Sequence, residues 1–378
     1  MSRYETQDEM KRIAAIDILR ALTMVWMLFV NDIPSLQGVP HWLFHAKATE
    51  DMLGFSDLVF PAFLFCVGMS IPFAIDGRLK RGQSMAATMG HVVLRSLSLI
   101  VMGLFLLNRD KGGEGIATNV MLLLTVAGFF LVWTDYPPRR RWLFRGLRCA
   151  GIALLAGLWL YCQATGHPFE IGWWGILGLI GWTYLVCVLG YLAVRYWRVP
   201  AWAVWLLYVA FCVADLQFVP GGWTHQAIGF SGVVASLLLR RFSADGRQWT
   251  LVGVYGLLGL AALALGFVAH HWWIISKIQA TPTWLFFSLT VNFWLLALVF
   301  CLSDILGRKG WFALIAPAGY ATLTCYLIPY IWYPLRELFV IEIPGWYGLT
   351  GIAISLVFAL VVVQITRLLV VLGLKVKL

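Results

Sequence analysis

RIAAIDILRALTMVWMLFVN (12–31) and FSDLVFPAFLFCVGMSI (55–71), joined by a segment containing HWLFHAKATEDMLG (41–54), decide how this chain reads. Each long run is apolar over nearly the 20 or so residues that a helix needs to cross a hydrocarbon core of about 30 Å. Neither is purely apolar. Asp17, Arg20 and Asn31 lie on the first run, His45 in the joining segment and Asp57 at the start of the second. Polar and titratable groups at a bilayer are costly, so they point first to function. Histidine is also the side chain whose ordinary pKa suits proton transfer near neutral pH.

Outward from this stretch the same texture continues. The 378 residues are 61% hydrophobic and 12% charged, where a soluble domain carries about 25% charged residues; the mean hydropathy is +0.82. Apolar runs of membrane-span size recur near 13–31, 55–75, 90–108, 117–134, 147–163, 173–194, 201–215, 225–239, 250–269, 283–302, 311–333 and 347–372. The expected fold is an all-α polytopic membrane protein of about twelve transmembrane helices, forming a single unit over 1–378. The runs at 173–215, joined only by RYWRVP (195–200), read as a compact helical hairpin.

A formal net charge of +10 invites a nucleic-acid partner, but its distribution argues for topology instead. One set of loops holds twenty basic residues: Arg3, Lys11, Arg12, Arg78, Lys80, Arg81, Arg139–Arg141, Arg145, Arg148, Arg195, Arg198, Arg240, Arg241, Arg247, Arg308, Lys309, Lys375 and Lys377. The other set holds five, namely Lys47, Arg109, Lys111, Lys277 and Arg336. The positive-inside rule then puts both termini in the cytoplasm, with the bilayer as the partner and no nucleic acid. The first run lacks a small-residue cleavage site and is expected to remain as a span.

Seven cysteines fall inside the predicted spans with no Cys-x-x-Cys pair. They read as small apolar packing residues, and no metal site is expected. Tryptophans such as Trp42, Trp173, Trp174, Trp223, Trp272 and Trp273 gather near span ends, as an interfacial belt does. His41, His45, His167, His225, His270 and His271 all fall at extracytoplasmic ends under this topology, and only His91 does not. Each alone suits an ordinary interfacial loop; together they suggest a reaction chamber on that face. The joining segment cannot be a random linker, because Trp42, Phe44, Met52, Leu53 and Phe55 favour an interfacial or re-entrant position.

Asp17 and Arg20 are one turn apart and can form a structural ion pair. Arg20 can equally face a cavity and fork onto a phosphate or carboxylate. Asn31 follows eleven residues later, about 16 Å along the axis at ~1.5 Å per residue. That is the order of an extended acyl-pantetheine arm. Passing an acyl group from a thioester to an amine or hydroxyl needs a base, which neutral His45 supplies. It also needs an oxyanion donor, which the Asn31 amide supplies. Asp57 either orients the imidazole or caps the second helix. In ISKIQATPTW (275–284), Lys277 is a rare basic residue on its face and Thr281-Pro282 is a good helix start. Lys277, Thr281, His225 and Asn292 stand as substrate-side candidates, against loop, cap and backbone-bonding roles.

The pattern IDILRALTMVWMLFVN, a loop with one His, then FSDLVFPAFLFCVGMSI, resembles the heparan-alpha-glucosaminide N-acetyltransferase family and its bacterial relatives. The signature covers about 12–75, with weaker similarity over 222–240 and 270–335. The IDILRA segment also resembles the first helix of wider membrane acyltransferases, which commonly carry His where this chain has Asn31. The resemblance implies acetyl-CoA as cytosolic donor and an extracytoplasmic amino sugar or glycan as acceptor. It also implies His45 as base, Asn31 as positioning or oxyanion group, and an integral, bacterial inner-membrane location. The family's Gln-Arg pair near the fourth span is absent; ATNVMLLLTVAGFF (117–130) offers Asn119, which joins Asp17 and Arg20 on the donor side. The acceptor sugar, the attacked atom and a homodimer are left open.

A twelve-span secondary transporter of a small polar or sugar-like solute is the competing expectation. GMSIPFAIDGRLKRG (68–82) faintly matches a facilitator loop, with Gly77 and Leu79 breaking the pattern. Transporters concentrate polar groups near the midplane, whereas here they cluster at the two ends of the first helix. A non-catalytic scaffold or flippase has no positive support in the residues.

Overall fold

The structure, a computed structural model, describes residues 14–113, 115–137, 141–341 and 347–378. Arg3, Lys11, Arg12, Arg139 and Arg140 of the topology argument lie outside the described residues. The chain forms α1 (Ala14–Asp32), α2 (Phe55–Lys80), α3 (Met85–Leu107), α4 (Ile116–Trp133), α5 (Arg141–Ala164), α6 (Gly175–Tyr196) and α7 (Ala201–Val213). It continues through α8 (Gly222–Ala244), α9 (Gln248–Ala269), α10 (Pro282–Phe300), α11 (Ala316–Tyr320), α12 (Thr322–Leu327), α13 (Pro329–Leu338) and α14 (Gly348–Val371). The all-α polytopic expectation holds, and no strand is found among the described residues.

Ten of these helices are long and apolar enough to cross a membrane, against the twelve spans expected. The two departures have physical causes. α7 has 13 residues, about 20 Å at ~1.5 Å per residue, short of the hydrocarbon thickness. The expected span 311–333 is replaced by the short helices α11, α12 and α13. Pro317, Pro329 and Pro334 withhold backbone donors there, and Gly319 meets α1 so closely that a Cβ would lie 2.5 Å from the Asp17 carbonyl oxygen.

Burial sorts the helices into core and rim. α2 is the axis, with 67% of its apolar window buried, whereas the window in α5 is 11% buried and presents its side chains outward. A Cβ on Gly68 of α2 would lie 1.7 Å from the Gly229 carbonyl oxygen, and one on Gly232 of α8 2.0 Å from that of Phe65. α2 and α8 therefore pack backbone against backbone, as small residues allow between membrane helices.

Each end of the bundle is tied by polar contacts. At one end the Asp304 carboxylate accepts from Ala14 N at 3.2 Å and Ala15 N at 2.8 Å, capping α1. There too, Asp76 of α2 accepts from Tyr191 Oη at 2.8 Å, Arg240 Nη1 at 2.5 Å and the Arg195 guanidinium, locking α2, α6 and α8. Asp76 is the acid of the facilitator-like loop, and it sits in this three-helix lock. Val376 pairs with Thr134, and Lys377 N donates to Trp133 O at 2.8 Å, so the described chain ends near Ala14 and Val376 share this basic end.

Candidate active site

The opposite end carries the loop between α1 and α2. It contains only short 3-10 turns and is held by its neighbours. Gln37 pairs with Tyr347, and Gly348 N donates to Gln37 O at 2.8 Å. On the other side the segment 270–281 grips it. Ile275 N donates to the Asp51 carboxylate at 2.8 Å, where His270 Nε2 also lies within 2.8 Å. Ser276 Oγ and Gln279 Nε2 donate to Ala48 O at 3.1 and 2.7 Å. The loop is a fixed cover over this end of the bundle.

Within it, His45 and Asp57 meet. Asp57 Oδ1 lies 2.7 Å from His45 Nδ1, while Oδ2 accepts from Ala46 N at 3.0 Å and Gly54 N at 3.3 Å. The contacts that the two expected roles of Asp57 need are made by different oxygens: one faces the imidazole, the other accepts from amides at the helix start. A Cβ on Gly54 would lie 2.1 Å from Phe44 O, so glycine is what lets the loop close onto the carboxylate. The Asp57 side chain is 2% exposed and the His45 side chain 43% exposed, so the imidazole is reachable and its partner is not. An ionised Asp57 accepts from Nδ1–H, which leaves the imidazole lone pair on Nε2. Trp284 Nε1 donates to Asp57 O at 3.1 Å and fixes the same turn from α10.

Lys277 joins this pair from 232 residues away in sequence. Its Nζ lies 3.2 Å from His45 Nδ1 and 3.9 Å from Asp57 Oδ1. A protonated Nδ1 cannot accept from an ammonium, so Lys277 acts here as a charge beside Asp57. Burial pushes the Lys277 ammonium down to about 8, with the Asp57 carboxylate opposing the shift. A lysine depressed in the folded state costs stability fully below pH 8, and the cost fades as pH rises to the unfolded value of about 10.4. Lys277→Met is therefore expected to unfold at a higher temperature than the wild type below pH 8, with the difference shrinking toward pH 10.4. A difference flat across that range would remove the argument.

Lys277 also lines a cavity of about 1020 Å³ beside the pair, together with His225 and Thr281. His225 is buried at the start of α8, its Nδ1–H donating to Gly221 O, with Phe60 and Trp284 edge-on at 5.5 and 5.8 Å. Thr281 caps α10: its Oγ1 donates to Ile274 O at 2.8 Å and accepts from Ser276 N at 3.1 Å. Trp173, Trp174, Phe211, Asp215 and Gln217, from the expected hairpin and the turn after it, supply much of the remaining wall. Trp174, Asp215 and Ala280 line it with φ of 71°, 49° and 52°, three of the five positive-φ non-glycines among the described residues. Such backbone costs about 1–3 kcal/mol per residue and gathers at ligand sites.

At the basic end, a second cavity of about 510 Å³ is lined by Arg20, Arg95, Lys375 and Lys377, and then by apolar groups from Met24 to Met27 and Phe63. Arg20 donates to Asp17 at 3.3 Å, Gly319 O at 3.3 Å and Ser70 Oγ at 2.6 Å, so the ion pair and the cavity position coexist. No Asp or Glu is among the cavity's lining residues. The wall leaves α1 after Met27; Asn31 is exposed at the end of α1 and lines neither cavity. Asn119 stands apart from this cavity, its amide donating to Glu337 at 2.8 Å between α4 and α13. Asn292 is buried within α10 and also lines neither cavity, with its Nδ2 unpartnered among the described residues.

Arg95 was missed by the sequence reading, although a lone cation within an apolar span is itself a signal. Lys375 and Lys377, which the loop charges count toward topology, line the cavity as well. Among the described residues no cluster of three His, Cys, Asp or Glu could hold a metal ion, and the seven cysteines are unpaired.

Residues 12–108 match the family model described as heparan-alpha-glucosaminide N-acetyltransferase, catalytic. Over 97 residues the chain is 36% identical to the heparan-alpha-glucosaminide N-acetyltransferase of Mus musculus and 34% identical to that of Homo sapiens. That alignment covers 26% of this chain and 14% of each relative. The stretch matched by the family model takes in α1, the His45 loop, α2 and α3, which include the His45–Asp57 pair and both Arg20 and Arg95. Over residues 12–108 the chain is therefore similar to the catalytic region of heparan-alpha-glucosaminide N-acetyltransferases, and it matches only a small part of those relatives' own length.

Proposed function

We propose that this chain moves an acetyl group from acetyl-CoA to an amino or hydroxyl group of a sugar on the opposite side of the membrane. The observation that carries this reading is the reachable His45 held by buried Asp57 at one end of a bundle whose other end opens into a cation-lined cavity. Arg20, Arg95 and Lys375 suit the phosphates of a nucleotide donor, and the apolar wall beyond them suits its arm. By the charge distribution of the loops this end is cytosolic. The larger cavity, with aromatic walls and polar groups such as Asp215, Gln217, Lys277 and Gln279, suits a sugar acceptor.

In the reaction, the acceptor nitrogen or oxygen attacks the thioester carbonyl while its proton passes to His45 Nε2. The C–S bond then breaks, the proton passes to the departing thiolate, and CoA leaves as the free thiol. Asp57 stabilises the transient imidazolium. Transfer is direct, since a base needs only a neutral imidazole.

The test is vesicle-based. Full-length protein is reconstituted with labelled acetyl-CoA supplied on one side and glucosamine on the other. Labelled acetylated sugar should appear only when the donor faces the basic end. A carrier would also present opposed cavities, and sugar flux without acetyl transfer would establish that reading instead.

A further inference from the structure

The two cavities are lined from opposite ends of the bundle, and their linings share one residue, Ile176. Ile176 stands in the first turn of α6. Opposite, consecutive faces of α2 serve the two sides: Phe60 lines the larger cavity and Phe63, one turn on, lines the cation-lined one. On α6 itself, Leu179 lines the former and Ile180 the latter. These five residues, which face the two cavities where they approach each other, are all apolar, although polar groups line both cavities.

That composition has a physical purpose in a protein that crosses a bilayer. A continuous wet channel would leak protons and ions, whereas a narrow apolar neck excludes water and closes to them. A charged nucleotide cannot pass such a neck without losing its hydration. A short acyl end can.

The neck is also rigid on the Ile176 side. Trp174 and Gly175 precede it with φ of 71° and 70°. A Cβ on Gly175 would lie 2.6 Å from Gly103 O, and one on Gly103 2.3 Å from Gly178 N, so the start of α6 is pressed backbone to backbone on α3. Trp174 packs edge-on against Trp182 at 5.4 Å. The side chain at 176 is therefore presented from a fixed backbone.

We propose that Ile176 is the aperture through which the donor's acyl end enters the acceptor cavity, and that its bulk limits transfer to short acyl groups. This rests on the acetyltransferase reading. It makes Ile176 a specificity-determining residue outside the His45 loop and outside the stretch matched to the family.

The experiment compares acetyl-, butyryl- and hexanoyl-CoA as donors for wild type, Ile176→Ala and Ile176→Trp, with CoA binding measured in parallel. Ile176→Ala should raise the butyryl-to-acetyl ratio of kcat/KM by about tenfold or more, the scale on which pockets discriminate methylene groups. Ile176→Trp should cut transfer of every donor by about 100-fold, well beyond any loss of CoA binding, as expected when passage is blocked. An unchanged donor ratio in Ile176→Ala overturns the proposal even if Ile176→Trp fails to fold. So does wild-type transfer by a folded Ile176→Trp. If the wild type neither binds CoA nor transfers an acyl group, the acetyltransferase reading falls and the aperture falls with it.

Discussion

His45→Gln is expected to lower acetyl transfer by about 10²–10⁴-fold, the usual contribution of a positioned general base, while leaving CoA binding unchanged. Glutamine can still hydrogen-bond to Asp57, but it cannot take the acceptor's proton. The cation-lined cavity should not sense the change, because its cations lie at the other end of the bundle. Stability should change little as well: the His45 side chain is 43% exposed, and the carboxylate it leaves keeps the amides of Ala46 and Gly54. Exposure provides a second readout. In His45→Gly, added imidazole has a route to the vacated position and should restore part of the transfer in a concentration-dependent way. Full transfer by folded His45→Gln would remove His45 from the reaction, whatever its contacts.

Much of this site was legible because membrane cost is legible. His45 and Asp57 are twelve residues apart and bracket a helix start, so their meeting needs only a short loop to fold back. Lys277 was flagged by charge scarcity on its face, but nothing local to ISKIQATPTW shows that it reaches His45. That contact depends on Asp51 and Ala48 being held by the segment 270–281. Asn119 shows the opposite failure. The topology expected from loop charge starts its span on the face opposite Arg20, so a place beside Arg20 conflicts with that expectation, and its amide is held by Glu337. The proline spacing in 311–338 carried the break in the eleventh span, yet hydropathy averaged over it. Ile176 gave no signal at all, because an apolar residue in an apolar helix is ordinary until two cavities are seen to meet at it.

Asp57→Asn is expected to be nearly as damaging to transfer as loss of His45, with little loss of stability. The asparagine oxygen can replace Oδ2 as acceptor for Ala46 N and Gly54 N, which keeps the helix start in place. Its amide then faces His45 Nδ1 as a donor and forces that nitrogen to accept. The proton moves to Nε2, and the base is lost to the wrong tautomer, a change that costs about 10⁴ in the analogous serine protease triad. Asp57→Ala separates the two functions of the carboxylate. It strands two buried amides at about 1–3 kcal/mol each and leaves Lys277 without its nearest anion, so its unfolding temperature should fall along with its activity. If Asp57 only secured the helix, the order would reverse: Asp57→Ala would be impaired through instability, and Asp57→Asn would transfer normally. Transfer by a folded Asp57→Asn within tenfold of wild type would therefore leave Asp57 as a helix cap and His45 without its partner.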